Sequence, residues 1–121
     1  MQAVNLAEKL RSFSENWVPK IVGELNGQYV KLVKFEGEYV WHSHAAEDEL
    51  FLVLDGRIDI HFRDHTVALG PGEFCIVPRG VEHKPSARQQ ASVLLFEPAS
   101  TRNTGNVDHA YTIEPQDLRR I

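Results

Sequence analysis

Apolar residues recur along this chain with two periods, and the period changes at Pro19. Before it, Leu6, Leu10, Phe13 and Trp17 follow spacings of four, three and four. That stripe predicts one amphipathic helix. Asn5 followed by Glu8 resembles a capping arrangement at its start. Pro19 ends it, because Val18 is pushed out of the helical region. After Pro19 the pattern is that of strands. KIVGEL and QYVKLVKF flank Asn26-Gly27, a pair suited to a two-residue type I′ hairpin. Asp55-Gly56 is expected to play the same part between ELFLVL and RIDIHF. Asp64-His65 should turn the chain before TVAL, since both residues tolerate positive φ better than most. Gly70-Pro71-Gly72 and Pro78-Arg79-Gly80 bracket EFCIV, and ASVLLFE completes a series of about eight short strands. Short strands with frequent turns predict an all-β sandwich or barrel. Beyond Pro98, STRNTGNVD reads as a polar loop, AYTIE as a brief strand and PQDLRRI as a last helical turn. The organisation expected is a helical segment over 1–19, a barrel over 20–97, and an extension over 98–121 packed on the barrel or a partner.

Strand side chains alternate between two faces. ELFLVL is apolar on both, so neither face is wet. Phe51 and Val53 should face the barrel lumen. Leu50, Leu52 and Leu54, with Trp41, then need a second cover, from the N-terminal helix or from another subunit. The same alternation puts Val40, His42 and His44 on one face of the preceding segment, and Tyr39, Trp41 and Ser43 on the other. If Glu49 points with the histidines, two imidazoles and a carboxylate converge, and His83 after the Pro-Arg-Gly turn is a fourth candidate. Val40, Phe51, Val53 and Val81 are the expected pocket lining.

Composition narrows the classes. A chain of 121 residues makes one domain with an adequate core. A net charge of −4 argues against a nucleic-acid binder, which would want a basic stripe to neutralise phosphates. Cys75 is the one cysteine, so no internal disulfide forms and a reducing compartment fits. The N-terminus lacks the apolar run of a signal peptide, and Leu50–Leu54 is too short to span a bilayer. The expectation is a soluble cytoplasmic protein with neither nucleic-acid nor membrane partners. Cys75, inside an apolar strand, is expected to be buried and inert. His61, His65 and His109 are expected at the surface, and Glu47 and Asp48 as solvated loop charges.

The stretch Gly37-EYVW-His42-Ser-His44-AAED-Glu49-LFLVLD-Gly56 resembles the first motif of the cupin superfamily, and Gly72-EFCIV-Pro78-Arg-Gly80-VE-His83 the second. With their strands they cover residues 28 to 97. Two positions depart from the pattern. The glycine before the first histidine stands one residue closer, which loosens a turn. Ala87 stands where the family often has Asn, which removes a structural hydrogen bond and not a ligand. The resemblance implies a jelly-roll β-barrel with a short N-terminal helix, a homodimer, and a divalent metal held in the barrel mouth by His42, His44, Glu49 and His83. Such nitrogen and oxygen donors suit Zn, Mn, Fe, Ni or Co and not Ca. The resemblance is to small single-domain cupins of the mannose-6-phosphate isomerase-like type, a group that includes isomerases, lyases and dioxygenases. It implies a metal-dependent enzyme acting on a small chelating polar molecule. The alternative is a non-catalytic, metal-dependent binding or sensing module. Few titratable groups stand beside the expected metal, which favours Lewis-acid or oxygen-activating chemistry over proton shuttling. Arg79, Lys84 and Tyr111 are the loop residues within reach of the mouth.

Overall fold

The computed structural model describes residues 1–121. After a helix, α1 (Leu6–Arg11), come eight strands: β1 (Lys20–Leu25), β2 (Gln28–Glu38), β3 (Glu49–Asp55), β4 (Ile58–His61), β5 (Thr66–Leu69), β6 (Phe74–Val77), β7 (Lys84–Pro98) and β8 (Arg119–Arg120). They form one connected sheet in the order β5-β4-β7-β2-β1-β8, with β3 joined to β7 and to β6. The expected all-β barrel is therefore what the chain makes. No helix is long and apolar enough to cross a membrane.

β7 is the spine. One of its edges pairs with β2 from Gln28↔Pro98 to Glu38↔Ser86. The other pairs first with β3, Leu50↔Phe96 to Asp55↔Ser92, and then with β4, Asp59↔Ser86 to His61↔Lys84. β3 and β4 thus run end to end along one partner and do not form the hairpin expected at Asp55-Gly56. Gly56 marks a bend that presses the backbone against β7, where a Cβ would lie 3.0 Å from Ala91 Cα. Its φ of 82° adds a second reason for glycine. Asn26-Gly27 does make the expected tight hairpin, with φ of 49° and 75°. β4 and β5 pair around Asp64-His65, but the link is Phe62 to His65, closed by the Phe62 N–H on the His65 carbonyl at 2.7 Å, and neither Asp64 nor His65 has positive φ.

The inward faces supply the core: Val33 and Phe35 from β2, Phe51 and Val53 from β3, Ile58 and Ile60 from β4, Val93 and Leu95 from β7. Each such side chain contributes about 1.5–3 kcal/mol on burial.

The N-terminal stripe proves not to be one helix. α1 starts as expected, with Asn5 Oδ1 accepting the Glu8 N–H at 3.0 Å, but it ends at Arg11. Lys34 Nζ draws in the carbonyls of Leu10 and Phe13, at 2.8 and 2.5 Å. The chain then extends against β2. The Trp17 N–H donates to the Lys34 carbonyl at 2.8 Å, and its indole N–H to the Glu36 carbonyl at 2.9 Å. Trp17 sits at φ 65°, a left-handed conformation costing about 1–2 kcal/mol. Those hydrogen bonds and ring stacking on Phe35 and Tyr39, with centroids 4.5 and 4.6 Å away, hold it there. This segment lies beside β1 and β2, so Leu50 and Leu52 are covered by neither helix nor tail. They join Phe74 and Ile76 of β6 and Leu94 and Phe96 of β7 in one outward apolar face, by the pairings Leu50↔Ile76, Leu52↔Phe74, Leu50↔Phe96 and Leu52↔Leu94. Phe74 is 59% and Ile76 54% exposed.

The tail differs from expectation too. Tyr111 and its neighbours form turns and no strand, Pro115–Asp117 is a 3-10 turn, and Arg119–Arg120 return to the sheet as a parallel partner of β1.

Candidate metal centre

His42 and His44 lie in the extended segment after β2, outside any continuous ladder. One bridge fixes it. The His42 N–H donates to the His83 carbonyl at 3.0 Å, and the His83 N–H to the His42 carbonyl at 2.9 Å. Each of these rings is locked by its own chain. His42 Nδ1 lies 2.8 Å from the Val40 carbonyl, and His83 Nδ1 lies 2.9 Å from the Val81 carbonyl. A carbonyl only accepts, so Nδ1 carries the proton in both and Nε2 keeps a free lone pair. Glu49 opens β3, and its Oε1 is 3.5 Å from His44 Nε2 and 3.4 Å from His83 Nε2. One donor atom from each of His42, His44, Glu49 and His83 lies within 4.8 Å of all the others. The four are 2%, 4%, 5% and 0% exposed, so bulk water does not solvate them.

Burial, aided by the neighbouring His83, lowers the His42 pKa to about 4. The ring is then neutral near pH 7, the form that ligates metals. Burial pushes Glu49 up, but the Glu97 carboxyl and the His44 and His83 rings outweigh it and hold Glu49 well below the usual carboxylate range. Glu97 is driven the other way, by burial first and by the Glu49 charge next.

Both ring nitrogens of His44, Glu49 Oε1 and His83 Nε2 are buried without a hydrogen-bond partner. Unpaired groups of this kind cost about 1–3 kcal/mol each. A divalent cation at their centre relieves most of that cost, so the residues fit the ion that the donor set implies. Three imidazoles and a carboxylate match Zn, Mn, Fe, Ni or Co.

A family model for the cupin domain matches residues 29–97, more than half of the chain. The chain belongs to the cupin family. Among solved structures, a cupin-2 domain protein from Shewanella frigidimarina NCIMB 400 shares 43% identity at a TM-score of 0.79, over 79% of this chain and 94% of that one. Protein NMB1881 from Neisseria meningitidis shares 31% identity at a TM-score of 0.74, over 80% of this cupin and 99% of that chain. The uncharacterized protein YdbB of Bacillus subtilis (strain 168) is 41% identical over 64 residues, 52% of this cupin and 57% of YdbB.

Beside the centre of this cupin is a cavity of about 30 Å³, lined by His42 and Glu49 together with Trp17, Phe35, Tyr39, Phe51, Leu95, Glu97 and Asn103. That is room for about two waters. Of the valines and phenylalanine expected to line it, Phe51 does. Val53 lies deeper, in the fully buried core. Val40 is half-buried and Val81 is exposed, and what both bring to the site is a backbone carbonyl for an imidazole. Tyr39, expected on the opposite face from His42, lines the cavity with it. The reason is that β2 ends at Glu38, so residues 39–41 are not regular strand and the alternation on which that expectation rests does not hold between Tyr39 and His42.

The tail shapes the mouth. Asn106 takes the Ser43 N–H on its side chain at 2.9 Å and donates its own N–H to the Ser43 carbonyl at 3.1 Å. Gly105 passes so close that a Cβ there would collide with the Ser43 carbonyl. Tyr111 stacks on Tyr39, centroids 5.6 Å apart and planes 6° from parallel. Of the three loop residues within reach, Tyr111 alone arrives. Arg79 binds Asp48, and Lys84 binds Glu38. Glu47 accepts from Ser100, so both loop acids are anchored on the surface. A second cleft of about 190 Å³ reaches His44 between its loop and the tail.

The remaining candidates stay outside the centre. His61 is held by Thr66 and Ser86 on the outer side of β4, His65 pairs with Asp64, and His109 packs at a tilt against Tyr111. Cys75 is half-buried, not fully buried, with burial raising its thiol pKa. The sequence reading passed over Glu97, Lys31 and Asn103. The signal for the first two was present: alternation along β2 and β7 puts a lysine and a glutamate on the core side.

Proposed function

We propose that this cupin is a metal-dependent enzyme acting on a small polar molecule that chelates the metal, with isomerase, lyase and dioxygenase chemistry as the candidate reactions. The observation that supports it is the set of four buried donor atoms, most of them unpaired, at the wall of a cavity. Held by His42, His44, Glu49 and His83, the ion would supply a Lewis acid for paired substrate oxygens. The chain's own residues supply the surroundings. Trp17, Phe35, Phe51 and Leu95 keep water away, which strengthens electrostatic contacts inside. Glu97, Tyr39 and Asn103 give the cavity polar groups, so proton transfer, and with it the mannose-6-phosphate isomerase-like chemistry of the family, gains a carboxyl partner that the sequence had not shown. The free space admits little beyond water, so a substrate needs the cavity to widen. The lone Cys75 is in keeping with work in a reducing compartment such as the cytoplasm.

Elemental analysis of untagged protein should find about one equivalent of a transition metal. Oxygen uptake with diketones and catechols, beside isomerase and lyase assays on sugar derivatives, then sorts the reaction. Protein that takes up no metal even after supplementation defeats the enzyme reading. Tight ligand binding without turnover points instead to a binding module.

We further propose that two copies associate through the outward face of Leu50, Leu52, Phe74, Ile76, Leu94 and Phe96. Six apolar side chains in register across three strands, two of them more than half exposed, form a patch of the kind monomers seldom leave open. Light scattering at micromolar concentration should give a dimer, and Phe74→Lys with Ile76→Lys a monomer. A monomer mass for the wild type would refute this.

A further inference from the structure

Glu97 and Lys31 form an ion pair inside the barrel. Lys31 Nζ lies 2.8 Å from Glu97 Oε1, and the side chains are 1% and 2% exposed. Burying such a pair costs several kcal/mol per ion in desolvation, and an apolar pair would fill the same space as stably. Its position suggests what it is for. In the β3–β7 register, Leu50 faces Phe96, so the next pair outward is Glu49 with Glu97. The carboxyl that Lys31 grips is thus the cross-strand neighbour of the carboxylate among the three imidazoles. Its other oxygen, Oε2, is buried with no donor from the protein, and Glu97 lines the same cavity as Glu49 and His42. Glu49 and His44 are the two donors of the four that no hydrogen bond anchors, and Glu49 is the one with a cross-strand carboxyl beside it. His42 and His83 are locked by backbone carbonyls, whereas Glu49 Oε1 has no hydrogen bond of its own.

We infer that Glu97, anchored by Lys31, is a positioning residue that sets the direction of the Glu49 carboxylate and so tunes the metal centre. This rests on the metal reading above. Outer partners of ligating carboxylates contribute to affinity through orientation. A glutamine at position 97 keeps the shape, an oxygen for Lys31 and an amide that can donate to Glu49. A double substitution, Lys31→Met with Glu97→Leu, removes the partner while leaving no buried charge unpaired.

The test is cobalt(II) binding to purified apoprotein, measured by competition with a chromophoric chelator and by the visible absorption bands of the bound ion. Glu97→Gln should keep the wild-type affinity and bands. The double variant should bind about 10–100-fold more weakly, with shifted bands. Should the double variant not fold, Lys31→Leu with Glu97→Met carries the same comparison. Wild-type affinity and spectrum in the variants without a polar group at 97 would overturn the inference, as would a loss in Glu97→Gln as large as theirs. A wild type that binds no cobalt defeats the metal reading itself, and this inference with it.

Discussion

Replacing His44 with alanine should abolish the stabilisation that added metal gives to this protein while leaving the metal-free fold nearly untouched. In the metal-free state His44 contributes little, since both its ring nitrogens are buried without partners. Its removal even relieves two unsatisfied groups, against which stands the loss of a buried ring's packing. In the loaded state it is one of four donors. A ligand that binds only the folded form stabilises by about 2.7 kcal/mol at a hundredfold excess over its Kd. Thermal unfolding with and without zinc or manganese checks this directly. Wild type should rise by several degrees on loading, and His44→Ala should not. A similar drop in Tm in both conditions would mean that His44 serves packing alone, and the metal reading would lose its support.

Lys31→Met should be the most damaging single change outside the centre. It leaves a buried negative charge on the Glu49 and Glu97 carboxylates with no counterion. Removing one member of a buried pair costs about 3–5 kcal/mol, a large share of the roughly 5–15 kcal/mol that holds a domain together. Urea unfolding should show a lower midpoint at an unchanged slope. Adding Glu97→Leu should recover most of the loss, because two apolar side chains replace the pair. If Lys31→Met alone unfolds at the wild-type midpoint, the ion pair contributes nothing to stability.

Much of this architecture could be read from residue patterns, and the failures share a cause. The Asn26-Gly27 hairpin and the apolar runs of β3 and β7 follow from local chemistry. The convergence of His42, His44, Glu49 and His83 was implied by the resemblance to cupins that their spacing carries. What local pattern could not supply was pairing. Asp55-Gly56 has the composition of a hairpin, yet β7 offers both β3 and β4 a longer partner than they offer each other. The stripe from Leu6 to Trp17 fits a helix, but the backbone of β2 captures Trp17 and Lys34 draws the chain off the helical path. Tyr39 shares a face with His42 because the strand ends at Glu38 and strict alternation lapses between the two. Lys31 was legible as a charge among inward-facing Tyr29, Val33 and Phe35, but its partner lies 66 residues away, and only the tertiary register brings them together.

The seam between β2 and β7 has one more consequence, for the order of events as the chain folds. His42 and His83 stand at the end of that seam, where Glu38 meets Ser86 and the chain then bridges the two histidines. Joining segments so distant in sequence is slow, and barrels dominated by such pairings fold in roughly milliseconds to seconds. His42 and His44 are neighbours from the moment of synthesis, but His83 reaches them only when the seam has closed. The complete four-donor grip is therefore a late product of folding, and in a nascent or unravelled chain the His83 imidazole is not yet in place.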